Sequence, residues 1–440
     1  MALREAAYLL VQRASGRNYS APSGVIKGLT EDGSALKAGE ERFLRELLQH
    51  AYRYVPYYGE PFRECGLVTG ESLHMSNFGA LPPLTRKTIR SILDQLISKD
   101  FRSRRTFWDV TGGSTGEPVH ILKDSVHDSW TIATLRYYYT EMLGIDYLRA
   151  RKFFLGNPFR YFPRGPKRAL ADWLTNGVHA DGLRLSESTL EAHVGALNSY
   201  RPDLVISFPS VLYEVSRFIE RRGKRVHRPR AIVSSGEALE GYMRKEIESA
   251  FGAKAYDLYG AVEAPAIAGE CSSGRLHTFT FHNHVEILKD NGLVEEGEVV
   301  VTPLHNLTMP LIRYKLGDVV HPAPYSCSCG SPLPTLGRVS GRTLDYFVRG
   351  DGGLVNGLYF VAILRSNTAL EAFQVIQEDF GTIRIMVKTA SVDEGWRKQV
   401  ESQVRLAMGT DCRIIWEVVD DVPRTKYGKR SIVKSLVHRE

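Results

Sequence analysis

Between residues 204 and 259 the chain alternates twice between short apolar runs and amphipathic stretches, and no other feature limits its fold as much. Leu204-Val205-Ile206 is a short strand of buried type, followed by a helix with Leu212, Val215, Phe218 and Ile219 on one face. Next come the strand Ala231-Ile232-Val233, a helix from about Gly241 to Phe251, and the strand-like Tyr256-Asp257-Leu258-Tyr259. Strands and helices taking turns in this way predict an α/β layer. At 440 residues the chain is well beyond the usual domain length, so two domains are expected.

The flanks differ in character. Residues 1 to about 100 read as helical, with Phe43, Leu44, Leu47, Leu48 and Ala51 at helical spacing. Ser125 opens a further helix through Trp130, Ile132 and Leu135, with Gly144 as its stop. Near the C-terminus, Phe373 to Val375 and Ile383-x-Ile385-x-Val387 alternate as strands around a turn at Asp379 to Gly381. Ser391-Val392-Asp393-Glu394 reads as a capping box for a helix with the stripe Trp396, Val400, Val404, and Cys412 to Val419 as a last strand. The predicted architecture is a large α/β N-terminal domain, residues 1–345, and a small α+β C-terminal domain, residues 346–440. The boundary falls just after Gly341-Arg342-Thr343-Leu344-Asp345, ahead of the loop Arg349 to Gly353.

Composition removes several classes. With 43% hydrophobic and 24% charged residues the chain is neither disordered nor fibrous. A net charge of +7 suits a phosphate-bearing substrate but is too dilute over this length to imply nucleic acid. Five cysteines are too few for a disulfide scaffold and leave one unpaired. No apolar run reaches the span of a membrane helix, and the start MALREAAYLLVQRASGR lacks the pattern of a secretory signal. A cytoplasmic enzyme, with no membrane and no nucleic-acid partner, is expected.

The segment Thr111-Gly112-Gly113-Ser114-Thr115-Gly116-Glu117-Pro118 carries chemistry. Its glycines let backbone N–H groups approach an anion, and its hydroxyls add donors, so it is a candidate phosphate cradle. It is not a Walker loop, because no Gly-Lys-Ser/Thr closes it, and its glycine spacing is not that of a Rossmann fingerprint. Further motifs follow in order: Ser234-Ser235-Gly236-Glu237-Ala238-Leu239, Tyr259-Gly260-Ala261-Val262-Glu263, Arg313-Tyr314-Lys315-Leu316-Gly317-Asp318, Gly341 to Asp345, and Pro423-Arg424-Thr425-Lys426-Tyr427-Gly428-Lys429. Together these resemble the adenylate-forming superfamily of acyl- and aryl-CoA synthetases, luciferases and peptide-synthetase adenylation domains. Val55-Pro56-Tyr57-Tyr58, Leu81-Pro82-Pro83-Leu84-Thr85 and Cys327-x-Cys329-Gly330 resemble the branch of phenylacetate–CoA ligases and capsule-biosynthesis proteins. The resemblance runs from about residue 40 to the end.

This resemblance implies that a carboxylate attacks the α-phosphate of ATP, pyrophosphate leaves, and a nucleophile takes the acyl group. It assigns Thr111, Gly112, Gly113, Ser114, Thr115 and Gly116 to the ATP phosphates and Glu263 to Mg²⁺, a hard ion that prefers oxygen ligands. Ser235, Gly236 and Glu237 would sit beside adenine, with Tyr259 stacked on it and Gly260 adjacent. Asp318 would accept from the ribose hydroxyls near Arg342. Lys429 would bridge the α-phosphate and the attacking carboxylate, and Asp345 would be the hinge. Phe208, Pro209 and Ala261 would line the acid pocket; Phe208 also ends a strand before a helix, where α/β pockets form. Two positions depart from the pattern: Val262 stands where Thr or Ser is common, and Glu117 where a Lys is often found.

Cys271, His277, Cys327 and Cys329 form a second constellation, C-x₅-H and later C-x-C, which matches a Cys₃His zinc site with no open position and so a structural one. Similar elements occur in the resembled branch; His282 and His284 are alternative fourth ligands, while Cys65 and Cys412 read as core. The basic runs Arg102 to Arg105, Arg160 to Arg168 and Arg221 to Arg230 are either solvated faces or contacts for coenzyme A phosphates. Tyr137-Tyr138-Tyr139 is either a pocket wall or a helix face. The expected function is an AMP-forming ligase that joins an aryl or small cyclic acid to coenzyme A, using ATP, Mg²⁺ and a structural zinc, with a homodimer as one expected assembly. Transfer to an amine is the alternative within the superfamily. A non-catalytic, zinc-containing basic binding protein is the alternative of another class; the joint presence of Glu263, Asp318, Arg342 and Lys429 disfavours it.

Overall fold

A computed structural model describes the chain except for Met1, Glu371, Asp421 and residues 111–118, 157–164, 183–184, 290–291, 294–296, 322–326, 341–345, 365–369, 390–391, 423–432 and 438–440. The N-terminal helical region is anchored by α1, Gly33–Tyr54, whose Leu36, Phe43, Leu44, Leu47, Leu48 and Ala51 are buried on one face. Asp32 caps it by accepting the Ser34 N–H. Strands β1 (Thr106–Val110) and β2 (His120–Asp124) pair antiparallel and flank the glycine-rich stretch, which lies outside the described residues. Asp124 then caps α2, Ser125–Tyr137. That helix does not run regularly to Gly144 as expected: it passes into a π-helical turn over Tyr138–Met142, and Gly144 stops it at φ +67°.

The alternating segment folds as the sequence predicts. Strands β3 (Lys152–Gly156), β4 (Gly177–Asp181), β5 (Leu204–Ser207), β6 (Ala231–Ser235) and β7 (Ala255–Tyr259) all pair parallel. Helices α3 (Pro209–Arg221) and α4 (Gly241–Phe251) make the crossovers. Strand β3 lies between β4 and β5, so the chain turns first to one side of it and then to the other. Such a switch leaves a crevice at the carboxyl ends of the strands, the usual place for a ligand in an open α/β sheet. Beyond β7 the sheet continues antiparallel through β8 (Ala268–Glu270), β9 (Leu276–Thr278) and, further along the chain, the short strand Thr335–Leu336.

A second sheet is built on β10 (Asn283–Lys289), β11 (Gly297–Pro303) and β12 (Tyr314–His321), with shorter strands at its edges. Between β11 and β12 the register slips. Val300 faces Lys315 and Glu298 faces Val319, so three residues of one strand, Leu316-Gly317-Asp318, stand opposite one of the other. Gly317 takes φ +84°, the left-handed conformation such a bulge demands.

From Phe347 onwards the residues gather a separate apolar core of Phe347, Phe360, Val375, Ile383, Ile385, Val400 and Val404. Its sheet is β13 (Ala372–Asp379) and β14 (Thr382–Lys388), antiparallel, with β15 (Arg413–Val418) and β16 (Val433–Ser435) added in parallel on the two sides. Helix α5, Glu394–Met408, covers it through Val400, Val404 and Met408. The cap of α5 differs from the expected box beginning at Ser391. Asp393 stands directly before the helix and accepts the Trp396 N–H at 2.7 Å, so it is the residue that caps. The molecule is thus a large α/β N-terminal domain with a small α+β C-terminal domain.

Candidate active site

The carboxyl ends of β5, β6 and β7 carry three of the segments read from the sequence. Phe208 leaves β5, and Pro209 occupies the first turn of α3, where a missing N–H costs nothing. Ser235 ends the neighbouring β6, and Gly236 follows at φ +87°. A Cβ at Gly236 would stand 2.9 Å from Phe208 Cε1, so glycine is required twice there, by conformation and by the ring lying on it. Glu237 Oε2 accepts the Ser210 N–H at 3.2 Å at the start of α3, where a carboxylate also meets the helix dipole favourably. The structure therefore brings Phe208 and Gly236, read as acid pocket and nucleotide site, into direct contact.

Tyr259 ends β7 and reaches across to the second sheet, where its hydroxyl donates to Asp318 Oδ2 at 2.9 Å. Asp318 can meet it because the bulge lifts this residue out of the β11–β12 ladder. Gly260 begins a tight turn in which a Cβ would come within 2.8 Å of the Ala266 N, and the Ala261 N–H closes on the Ala264 carbonyl at 3.0 Å. That turn delivers Glu263 to a buried position, 2% exposed. Tyr314 Oη donates to Glu263 Oε1 at 2.9 Å, and Arg86 Nη2 lies 3.3 Å from the same oxygen. Burial, then the Glu263 charge, hold the Tyr314 hydroxyl well above its ordinary pKa, so the phenol stays protonated and remains a donor.

The cysteine–histidine constellation assembles at the far edge of the first sheet. Cys271 follows β8 and His277 lies in β9, the two strands forming a hairpin. His277 also pairs with Thr335 of the strand that follows Cys329, which draws the two halves together. The ligand atoms of Cys271, His277, Cys327 and Cys329 all lie within 4.8 Å of one another. Cys271 Sγ is 3.6 Å from Cys327 Sγ, and Cys329 Sγ is 3.3 Å from His277 Nε2. Tetrahedral zinc with its usual bond lengths sets sulfurs about 3.8 Å apart, so the set fits. His277 Nδ1 bonds the Leu333 carbonyl at 2.7 Å, which leaves Nε2 for a metal. Burial opposes a thiolate at Cys327, but the Cys329 N–H, His277 and the other two thiols outweigh it and bring its pKa down to about 6. Cys329 is pushed up to about 11, by burial first.

Residues 347–436 match the family model described as the CapK C-terminal domain. Over 426 residues the chain is 24% identical to Protein CapK of Staphylococcus aureus, covering 92% of this chain and 90% of that one. It is 20% identical to the phenylacetate–coenzyme A ligase of Pseudomonas putida, over 90% and 93% of the two chains. A solved structure of 2-hydroxyisobutyryl-CoA ligase with 2-HIB-AMP and CoA superposes with TM-score 0.60 at 18% identity, covering 91% of this chain and 90% of that one. The chain is a homologue of CapK and of the phenylacetate–coenzyme A ligases, with the adenylate-forming fold.

Thr111, Gly112, Gly113, Ser114, Thr115, Gly116, Arg342, Asp345 and Lys429 lie outside the described residues. His282 and His284 are not metal ligands here: His284 pairs with Glu40 at 2.6 Å, and His282 stacks among buried aromatic rings. Tyr138 and Tyr139 are core, 0% and 3% exposed, so the pocket-wall alternative fails for both. In the basic run after α3, Arg221 and Arg222 pair with Glu187 and Lys224 pairs with Glu191, an ion-pair surface. Two site residues were missed, Arg86 and Tyr314. Tyr314 stood inside a quoted motif, and Arg86 directly follows Leu81 to Thr85, so a buried partner for Glu263 was the signal to look for.

Proposed function

We propose that the chain is an ATP-dependent ligase that adenylates a carboxylic acid and passes the acyl group to the thiol of coenzyme A. The carboxylate oxygen attacks the α-phosphorus and pyrophosphate departs, leaving acyl-AMP. The thiol then attacks the acyl carbon, a thioester forms and AMP leaves. The observation that carries this reading is that the Ser235-Gly236 turn and Tyr259 leave neighbouring parallel strands at the same end of the sheet, with Tyr259 bonded to Asp318 across two sheets at 2.9 Å. In this reading Asp318 accepts from the ribose, the Ser235–Glu237 turn and Tyr259 bound the adenine, and Phe208, Pro209 and Ala261 bound the acyl group. The glycine-rich stretch Thr111 to Gly116 holds the phosphates, Lys429 and Arg342 stabilise the charge that develops at the α-phosphate, and the small domain, residues 346–440, pivots at Asp345.

Glu263 fits a magnesium ligand, since it is a buried carboxylate with donors on one oxygen only among the described residues. Mg²⁺ bound with ATP would neutralise phosphate charge. The Cys271, His277, Cys327, Cys329 set would hold a structural zinc that cross-links β8, β9 and the strand beyond. None of the five cysteines forms a disulfide, which accords with a reducing, cytoplasmic location.

The names of the relatives support an acid–thiol ligase, and the phenylacetate ligases among them support an aryl acid. The test is pyrophosphate release from ATP across a panel of aryl and small cyclic acids, with and without coenzyme A. Acid-dependent release with a thioester product is expected. Release from no acid in the panel would remove the reading.

A further inference from the structure

Arg86 lies far from the α/β crossover segment in sequence but close to Glu263 in space. Leu84 forms a parallel bridge with Tyr314, its N–H bonding the Arg313 carbonyl and its carbonyl the Lys315 N–H, both at 2.9 Å. Thr85 caps the short helix Arg86–Ser91, which begins at the arginine itself. The chain is thus pinned on either side of the guanidinium. Arg86 Nε donates to Tyr314 Oη at 3.1 Å, and Arg86 Nη2 donates to Glu263 Oε1 at 3.3 Å. Tyr314 Oη donates to that same oxygen at 2.9 Å. The three groups close a ring of hydrogen bonds in which Arg86 and Glu263 are 16% and 2% exposed.

Both donors act on Oε1. A carboxylate fixed at one oxygen cannot rotate freely, and its second oxygen then points in one direction. We propose that Arg86 is a positioning residue: with Tyr314 it clamps Oε1 of Glu263 and so presents Oε2 to the divalent cation that accompanies ATP. This rests on the reading of Glu263 as a metal ligand. A merely structural ion pair would need only a cation near a buried carboxylate. The clamp needs the planar fork of arginine, since one guanidinium spans the phenol and the carboxylate, and the single ammonium of lysine restores the charge without that geometry.

The experiment uses the full chain saturated with a non-hydrolysable ATP analogue, and Mn²⁺ as the probe, its free concentration read by electron paramagnetic resonance. Affinity for the analogue alone is measured in chelator. Outer-shell partners of a metal ligand commonly alter metal affinity by about 10–100-fold. Arg86→Lys is therefore expected to weaken Mn²⁺ binding by about tenfold or more while the melting temperature and the metal-free analogue affinity stay near wild type. Tyr314→Phe should weaken Mn²⁺ in the same sense, and it decides the matter if Arg86→Lys does not fold. Glu263→Gln separates the two layers of the argument. If it leaves the Mn²⁺ affinity unchanged, the metal-ligand reading of Glu263 is wrong. If it abolishes Mn²⁺ binding while Arg86→Lys and Tyr314→Phe bind as wild type, the reading stands and the positioning role is overturned.

Discussion

In the proposed reading Asp318 acts on the nucleotide through its charge and Gly236 through its lack of a side chain, and substitution tells them apart. Asp318 acts through its charge, held by Tyr259 at 2.9 Å. Charge-assisted hydrogen bonds contribute about 1.5–3 kcal/mol each, so Asp318→Ala should raise the KM for ATP at least about tenfold and leave that for the acid nearly unchanged. An equal rise in both, measured by pyrophosphate release, would mean that the nucleotide lies elsewhere. Gly236 acts through its lack of a side chain. Alanine there must hold φ +87° and displace the Phe208 ring, a strain of about 1–3 kcal/mol. Because Phe208 and Gly236 touch, Gly236→Ala should raise both KM values together and lower the melting temperature. Lys429→Ala should leave the fold intact and cut adenylation by about 10²–10³, the usual loss when a transition-state charge is removed. At this scale the sequence was legible where a residue type and its neighbours define a job, as in Tyr314 to Asp318. It was silent on Arg86, because an arginine after a proline-rich turn has no local mark of the carboxylate it meets across 177 residues.

At the scale of elements, the helix expected from about Gly241 to Phe251 is α4, and its Met243, Ile247 and Phe251 are buried on one face while Gly252 ends it in the left-handed conformation. The π-helical turn after Tyr137 was not legible, since it is packing that inserts the extra residue: Tyr138 is fully buried and bonds the Glu270 carbonyl at 3.2 Å. The bulge that carries Asp318 was not legible, since the sequence marked Gly317 only as part of the Arg313 to Asp318 motif and gave no strand there for it to interrupt. The cysteine–histidine hairpin is the element where sequence and structure agree most closely, and it makes a prediction of its own. Its elements are short, with β8 and β9 three residues each and the partner strand two, at the edge of the larger sheet, where a few ladder bonds hold them. Metal should therefore contribute to stability before it touches chemistry. Purified protein is expected to contain about one zinc per chain. Cys327→Ser with Cys329→Ser should lose it and melt several degrees lower, with pyrophosphate release retained below that temperature. Zinc content unchanged in the double variant would refute this ligand set.

At the scale of the whole molecule, the large and small domains answer differently to acid. In the large domain His127, His282 and His305 stack in series, with ring centres 5.6 and 5.8 Å apart, and Trp130 lies flat on His305 at 3.6 Å. Neither ring nitrogen of His127 has a partner among the described residues, nor has Nδ1 of His282. Burial, and then neighbouring positive charge, hold His127 and His282 well below the ordinary histidine range. Burial alone takes His305 down to about 3, against a small opposing pull from the Phe281 carbonyl. All three are neutral in the folded chain at pH values where the unfolded chain would protonate them. Above about pH 6.5 the two states bind the same protons here and stability is flat; below it the unfolded state takes up as many as three more, and stability falls by up to about 4 kcal/mol per pH unit. That is a large part of the roughly 5–15 kcal/mol that keeps a domain folded, and it is lost before most carboxylates titrate. Residues 347–437 contain no histidine at all. Hydrogen exchange on the intact chain, expressed as protection factors at pH 7.5 and pH 5.5, should therefore show α2 and β10 losing protection while β13 and β14 keep theirs. His282→Gln should reduce the pH dependence of α2 by about a third, one proton of three. Equal loss in both regions, or none in α2, would show that the buried histidines do not set the acid limit of this fold.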